Sequence, residues 1–187
     1  MTVLLSASNL GCEIGGRRLF EGLTFDLRPG EALVVRGANG SGKSSLLRIL
    51  AGLRRADDGA SALRAPAHYL GHALGLKPML TAADHLRHWR GLAASSETAA
   101  IPAEVAAFAD LPVAALSRGQ AQQVALARLA TDARPIWLLD EPTGPLDAEA
   151  SCAFADRLAA HLEDGGAAVV TTHRALRLRG DTRELRL

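Results

Sequence analysis

The stretch from Gly37 to Ser45, "GANGSGKSS", constrains the fold of this chain more than any other feature. The apolar run "EALVVR" leads into it, and "SSLLRILAGL" leads out of it with leucines at helical spacing. A glycine-rich loop in this context matches the pattern G-x-x-x-x-G-K-[ST]. Its glycines let backbone N–H groups surround phosphate oxygens, and the positive end of the helix dipole lies beside them. The sequence therefore predicts a strand, a phosphate-binding loop and a helix.

Individual side chains of this loop predict how a nucleotide is held. Lys43 is expected to neutralise the β and γ phosphates, and Ser44 to offer its hydroxyl to Mg²⁺. Nucleotide contacts are expected along the whole loop, which consists of Gly37, Ala38, Asn39, Gly40, Ser41, Gly42, Lys43, Ser44 and Ser45. We therefore expect a nucleoside triphosphate with Mg²⁺ at this site.

Two later runs, "PIWLLDEP" and "AAVVTTH", are typical of parallel strands that are covered on both faces. Asp140 and Glu141 end the first run and His173 ends the second, at the strand ends where open parallel sheets bind ligands. Asp140 is predicted to hold Mg²⁺, and Glu141 is the candidate general base for an attacking water. His173 is predicted to contact the γ-phosphate.

The remaining segments predict a single α/β domain with an inserted helical lobe. "TVLLSASNL" and "LTFDLRPG" indicate an N-terminal antiparallel layer, and "TRELRL" a last edge strand. The catalytic core, with its mostly parallel sheet, is assigned to 1–72 and 131–187 and the helical subdomain to 73–130. Between the two apolar strands, Asp147 is expected to cap a helix that Gly165 ends.

Charge balance and apolar runs limit the partners of the chain. Lys and Arg number 21 against 20 Asp and Glu, so the chain lacks the basic field that binds nucleic acid. The runs "IWLL" and "AAVV" fall far short of the roughly 18 apolar residues that span a bilayer. Cys12 and Cys152 are too few for a disulfide framework, which fits a reducing cytosol.

Core, surface or interface positions, rather than ligand-binding roles, are predicted for four histidine and tryptophan residues of the lobe and sheet. His85 and His88 are expected on a solvated helix face rather than as haem or metal ligands. Trp137 is expected in the core, whereas core and partner interface remain open for Trp89.

The pentapeptide "LSRGQ" opens another helix-patterned segment. Backbone N–H groups at Ser117 and Gly119 would form a second anion site there. Since the loop around Lys43 already holds the phosphates of one nucleotide, this site predicts a second molecule.

Together, "GANGSGKSS", "LSRGQ", "WLLDEP", "GPLD" and "TTH" resemble, in order and spacing, the ATP-binding cassette (ABC) ATPases. The resemblance covers essentially the whole chain and implies the ABC ATPase fold of the P-loop NTPases. In that family two cassettes pair head to tail, with ATP between the phosphate-binding loop of one and the signature motif of the other. It implies that Ser117, Gly119 and Gln120 contact the ATP of a second copy, and that Asp147 crosses the interface of a homodimer.

Within that family, "YLGHALGLKPMLTAADHL" and its neighbouring motifs look like the ATPases of cytochrome c maturation. This likeness implies a peripheral subunit on the cytoplasmic face of the bacterial inner membrane, acting in haem export. Its partners would be integral-membrane subunits similar to CcmB and CcmC and, indirectly, a periplasmic haem chaperone similar to CcmE. The motion of the dimer would reach them through the segment from His72 to Leu80.

Several positions depart from the pattern of the family, among them Arg118 in the signature motif, His72 and Ile14. His72 stands where most cassettes carry a glutamine that touches Mg²⁺, the attacking water and the membrane subunit, and it is included among the expected catalytic residues. Ile14 occupies a position that often holds an aromatic residue stacked on adenine, which predicts loose base recognition.

Other functions fit parts of the sequence. The chain is also compatible with the ATPase of another exporter or of a lipoprotein-release system. An ABC protein acting on DNA or the ribosome would be expected to carry a second cassette, a coiled-coil insertion or a basic arm. A P-loop kinase would not need "LSRGQ". Co-purification of a membrane protein separates the first class from the others.

Overall fold

The computed structural model describes residues 2–92, 101–173 and 181–187. Contacts group Met1–His72, Arg134–Pro142 and Ala155–Leu187 into one compact unit, and Ala73–Ala133 with Thr143–Phe154 into a second. The predicted division put 131–187 wholly in the core, whereas the contacts place Thr131–Ala133 and Thr143–Phe154 with the helices. The physical reason is local packing, since a Cβ atom on Gly119 would lie 3.1 Å from the carbonyl oxygen of Pro145.

An antiparallel sheet opens the first unit, as predicted. Its central strand, β1 (Leu5–Ile14), pairs with β2 (Arg17–Leu27) on one side and with β4 (Asp58–Leu63) on the other. β4 was not predicted from the sequence. Its residues are mostly exposed, so pairing with β1, rather than an apolar pattern of its own, defines it.

The second sheet is parallel throughout and confirms the predicted core. Its five strands lie in the order β5, β6, β7, β3, β8. The strands span Ala67–Leu70 (β5), Ile136–Asp140 (β6), Ala167–Thr171 (β7), Glu31–Arg36 (β3) and Asp181–Arg186 (β8). Every residue of β6 and β7 is buried, as their continuous apolar runs indicate. β8 is an edge strand, as "TRELRL" predicts.

Helix α1 (Lys43–Leu50) joins the two sheets through the apolar core. Its buried residues Leu46, Leu47 and Leu50 belong to one cluster with side chains from both sheets. The helix ends before Leu53, which the helical spacing had included, and this side chain is therefore 64% exposed.

Helix α5 (Ala148–Glu163) connects β6 to the parallel strand β7, as predicted. Asp147 caps it, because Oδ1 accepts the N–H of Ala150 at 2.8 Å. Gly165 follows its end with a φ of 82°, a left-handed conformation that suits glycine at helix ends.

The second unit is built on α2 (Ala82–Leu92), α3 (Ala103–Ala106) and α4 (Arg118–Ala127). Trp89 is buried in its apolar cluster, with the guanidinium of Arg128 5.7 Å from the ring centre. The expected solvated face holds for His88 but is wrong for His85, which is buried and whose Nε2 accepts the Lys77 N–H at 3.0 Å. Across the described ranges, no helix combines the length and apolar character needed to cross a membrane.

Trp137 lies in the core as predicted, but its neighbour was not anticipated. The imidazole of His161 stacks on the indole with ring centres 3.8 Å apart and planes 7° from parallel. Burial lowers the pKa of His161, and acceptance of its N–H by the carbonyls of Ala167 and Pro135 only partly opposes that shift. The folded chain therefore favours neutral imidazole at this position.

We expect the stability of the chain to fall as the pH drops below about 6.5, the ordinary pKa of histidine. Below pH 6.5 His161 takes up a proton in the unfolded chain more readily than in the folded chain, because folding lowers its pKa. The free energy of unfolding is therefore highest above the unfolded pKa and decreases as the pH falls towards the lowered pKa of the folded chain. Urea unfolding at pH 7.5 and at pH 5.5 measures the loss. His161→Phe, which keeps an aromatic ring on Trp137 but cannot titrate, should lose less; an equal loss in both proteins would contradict this account.

Candidate active site

Four neighbouring strands of the parallel sheet direct their carboxyl ends to one edge. The glycine-rich loop follows β3 and His72 follows β5. Asp140 ends β6 with Glu141 directly after it, and His173 follows β7. At this edge lies a cleft of about 520 Å³. Its lining consists of Ile14, Arg17, Leu19, Asn39, Gly40, Gly42, Lys43, Ser44, Ser45, His72, Asp140, Glu141 and His173. Strand order therefore brings together residues that are more than a hundred positions apart.

The glycine-rich loop reaches α1 through backbone that ordinary residues avoid. Gly42, the N-cap of α1, has a φ of 106°, and Gly40 has a φ of 80°. A Cβ atom on Gly42 would lie 3.0 Å from the ring of Phe20, so space as well as conformation requires glycine. No side chain caps the helix and its first turn holds no acidic residue. The N–H groups of that turn therefore suit an anionic ligand.

Lys43 lies in the base of the cleft and is only 7% exposed. Its ammonium group donates hydrogen bonds to the carbonyl oxygens of Gly37 at 2.9 Å and Ala38 at 3.1 Å. The same Nζ atom is 3.1 Å from Nε2 of His173. A buried positive charge held by loop carbonyls gives the cleft the charge that a polyphosphate requires.

Asp140 is buried at the end of β6, and both of its carboxylate oxygens accept hydrogen bonds. The hydroxyl of Ser44 donates to Oδ2 at 2.6 Å, and the hydroxyl of Thr171 donates to Oδ1 at 2.7 Å. Ser44 and Asp140, the two predicted metal residues, are therefore in direct contact. Thr171 was missed from the sequence, although a threonine ending the apolar run "AAVV" signals a buried hydroxyl that needs a partner.

Glu141 adopts a left-handed backbone conformation with a φ of 51°, which is uncommon for a residue other than glycine. Its N–H is accepted by both the carbonyl oxygen and the hydroxyl of Thr171, at 3.1 and 3.0 Å. Its carboxylate meets His173 twice, with Oε1 3.1 Å from Nε2 and Oε2 accepting the backbone N–H at 3.3 Å. Strained backbone of this kind points to a functional residue.

His72 and Ile14 lie on the walls of the same cleft. His72 is exposed on the segment after β5, and Ile14, at the end of β1, is 46% exposed beside Arg17. An aliphatic side chain thus stands at the mouth of the cleft where the sequence comparison with ABC ATPases expects an aromatic ring.

The signature residues lie in the second unit, where they form a helix cap. Ser117 is the N-cap of α4: its hydroxyl accepts the Gln120 N–H at 3.2 Å, while Oε1 of Gln120 accepts the Ser117 N–H at 2.9 Å. This reciprocal capping box was readable as S-x-x-Q but was not predicted. Ser117 is exposed and Gly119 partly so. Asp147, likewise exposed, caps α5.

Comparison with known proteins identifies the family. The ABC transporter family model matches residues 20–144. The cytochrome c biogenesis ATP-binding export protein CcmA of Rhodopseudomonas palustris (strain BisB18) is 44% identical over 98% of this chain and 97% of its own length. CcmA of Paracoccus denitrificans (strain Pd 1222) is 46% identical over 91% of this chain and 82% of its own. The chain belongs to the CcmA family of ABC transporters.

A solved structure supports the fold of this CcmA-family chain. The dimeric structure of MJ0796, a bacterial ABC transporter cassette, covers 97% of the chain and 94% of its own length with a TM-score of 0.80 at 24% identity. The predicted α/β P-loop NTPase fold of the ABC ATPases is therefore confirmed. As an ABC ATPase of the CcmA family, the chain binds and hydrolyses ATP.

We expect Lys43→Ala to weaken ATP binding by about 10- to 100-fold, the loss of one charge-assisted contact. The reason is that Nζ is the buried cation in the cleft nearest the loop carbonyls. Equilibrium binding of a fluorescent ATP analogue measures the change. Lys77→Ala is the matched control, because Lys77 is exposed in the other unit and its described hydrogen bonds come from its backbone N–H and carbonyl groups. Equal affinities of the two variants would remove Lys43 from the binding site.

Proposed function

We propose that this chain is the ATP-hydrolysing subunit of a membrane ABC complex in cytochrome c biogenesis, serving haem export or release of a haem-loaded periplasmic chaperone. The observation that carries the proposal is the meeting of Lys43, Asp140, Glu141 and His173 in one cleft. The names of relatives that match nearly the full chain support the biological role.

The nucleotide lies between two copies of the chain in this proposal. The loop from Gly37 to Ser45 holds the triphosphate in one copy, and the exposed helix start at Ser117 and Gly119 closes over it from the partner subunit. Gln120 fixes this helix start through the capping box, and Asp147 lies at the interface between the copies. The dimeric structure of the MJ0796 cassette supports a homodimer.

Ser44 and Asp140 are suited to hold Mg²⁺. Their oxygen atoms are hard ligands, they already lie 2.6 Å apart, and Mg²⁺ is commonly bound by one or two protein oxygens together with phosphates and waters. When bound, Mg²⁺ supplies positive charge that stabilises the transferring phosphoryl group.

Glu141 and His173 act on the hydrolytic step. The carboxylate of Glu141 accepts a proton from the attacking water, and its contact with His173 orients it. Lys43 and His173, whose Nζ and Nε2 atoms lie 3.1 Å apart, stabilise the γ-phosphate together with Ser117 of the partner subunit. His72, on the wall of the same cleft, contacts the attacking water and passes the nucleotide state to the membrane subunits.

The position in the cell follows from these partners. Integral-membrane subunits similar to CcmB and CcmC hold the dimer at the cytoplasmic face of the inner membrane, and a chaperone similar to CcmE receives the output on the periplasmic side. We expect the tagged chain, isolated from its own cell in mild detergent, to carry membrane proteins that bind haem. Recovery of membrane proteins with no haem-binding member would contradict the role in cytochrome c biogenesis and leave the ATPase assignment intact.

We expect Glu141→Gln to bind ATP normally and to hydrolyse it about 10²- to 10⁴-fold more slowly, because the amide cannot accept the proton of water. Steady-state phosphate release and nucleotide binding measure the two properties. Glu149→Gln is the matched control, since Glu149 is an exposed carboxylate in the first turn of α5. Near-normal turnover of Glu141→Gln would exclude Glu141 as the general base.

Glu141→Gln also tests the proposed nucleotide site between two copies of the chain, because ATP that is not hydrolysed should hold the two copies together within the native membrane assembly. Ser117→Asp in the Glu141→Gln background should abolish that nucleotide-dependent dimer: aspartate keeps the helix cap but repels the phosphates of the partner's ATP. Ser117→Asn keeps the cap without the charge and should retain the dimer. Equal dimerisation of the two Ser117 variants in cross-linking would contradict the composite site.

A further inference from the structure

Thr171, the last residue of β7, is fully buried between two strands that carry the site. Across the sheet its Cα pairs with Asp140 of β6 on one side and with Val35 of β3 on the other. The residues that precede it in β7 are all alanine or valine. A buried hydroxyl at the end of such a strand costs free energy unless it is hydrogen-bonded. Its partners are therefore the informative feature.

The hydroxyl of Thr171 serves two residues of the candidate active site at once. Its single proton is donated to Oδ1 of Asp140 at 2.7 Å. A lone pair of the same oxygen accepts the N–H of Glu141 at 3.0 Å. One donor and one acceptor bond use the hydroxyl in the way its chemistry allows.

These two bonds have different consequences. The Glu141 N–H is also accepted by the Thr171 carbonyl at 3.1 Å, so the left-handed turn at Glu141 keeps one partner if the hydroxyl is lost. No second hydrogen bond from β7 to the Asp140 carboxylate is described. Oδ1 accepts the hydroxyl of Thr171, and Oδ2 accepts the hydroxyl of Ser44. Loss of the hydroxyl would therefore leave the Asp140 carboxylate held by Ser44 alone, with Oδ1 no longer fixed.

We propose that Thr171 is a positioning residue that fixes the carboxylate of Asp140 towards Ser44 and steadies the backbone of Glu141. The inference rests on the roles proposed above for Asp140 and Glu141. It assigns no contact between Thr171 and the nucleotide, because a fully buried residue acts only through its two partners.

The test compares Thr171→Val, which keeps the shape of the side chain and removes the hydroxyl, with Thr171→Ser, which keeps the hydroxyl. Thr171→Cys is the third variant, since a thiol is a weaker donor of similar size. Val169→Ala is the matched control: it removes buried volume from the same strand without touching these hydrogen bonds. All are prepared as the full chain in its native membrane assembly.

We expect Thr171→Val to lower kcat by about 10- to 100-fold, the loss expected for one buried bond to a charged group. The affinity for ATP without Mg²⁺ should stay within about threefold of the parent, since the phosphate-binding loop is unchanged. The Mg²⁺ concentration that half-saturates binding of a fluorescent ATP analogue should rise severalfold. Thr171→Ser should restore both kcat and the Mg²⁺ response, with Thr171→Cys between serine and valine.

Several results would overturn the proposal. Parental kcat and Mg²⁺ response in folded Thr171→Val would show that the hydroxyl is dispensable. A loss of kcat in Val169→Ala equal to that in Thr171→Val, at equal loss of Tm, would assign the effect to packing. If Thr171→Val does not fold, equal turnover of the serine and cysteine variants overturns it. Absence of ATP hydrolysis in the parent chain itself would instead contradict the proposed function.

Discussion

The active-site edge of this protein depends on the hydrogen-bond chain from Ser44 through Asp140 to Thr171. Ser44 lies on α1, Asp140 ends β6 and Thr171 ends β7, so two bonds of 2.6 and 2.7 Å join three elements that are distant in sequence. Because Asp140 is buried, a carboxylate without these partners would be costly. The two hydrogen bonds satisfy that charge and fix the position of the Asp140 carboxylate beside Ser44.

Two unfavourable features of the site are compensated by the buried apolar strands next to it. Glu141 has a left-handed backbone and Lys43 carries a buried charge, two features that destabilise a fold when they are isolated. β6 and β7 are buried along their whole length, and each is hydrogen-bonded to a neighbouring strand on both sides. The buried sheet supports both residues, and the cost is confined to Glu141 after β6 and to Lys43 at the start of α1.

The exposed caps of α4 and α5 serve local structure, and they are the residues proposed above to contact a second copy of the chain. Ser117 and Asp147 each satisfy a backbone N–H at the start of a helix, yet both remain exposed. The helix starts therefore fix the orientation of both side chains within one chain, and in the proposed composite site this would lower the entropic cost of closure.

Local features of this protein were determined by the sequence alone, because their causes lie within a few residues. The glycine-rich loop before α1, the cap at Asp147, and the buried strands formed by "IWLL" and "AAVV" all follow from spacing and residue type, although the second strand ends at Thr171 rather than at the predicted His173. The resemblance carried by "LSRGQ" and "WLLDEP" extended these local features to a family.

Features that depend on neighbours distant in sequence were decided only by the tertiary structure. β4 forms by pairing with β1, which lies more than forty residues earlier in the chain. His161 of α5 stacks on Trp137 of β6, a contact that no local sequence pattern predicts. Thr171 joins the site because the strand order sets β7 beside β6, a pairing that a one-dimensional pattern of apolar residues does not contain.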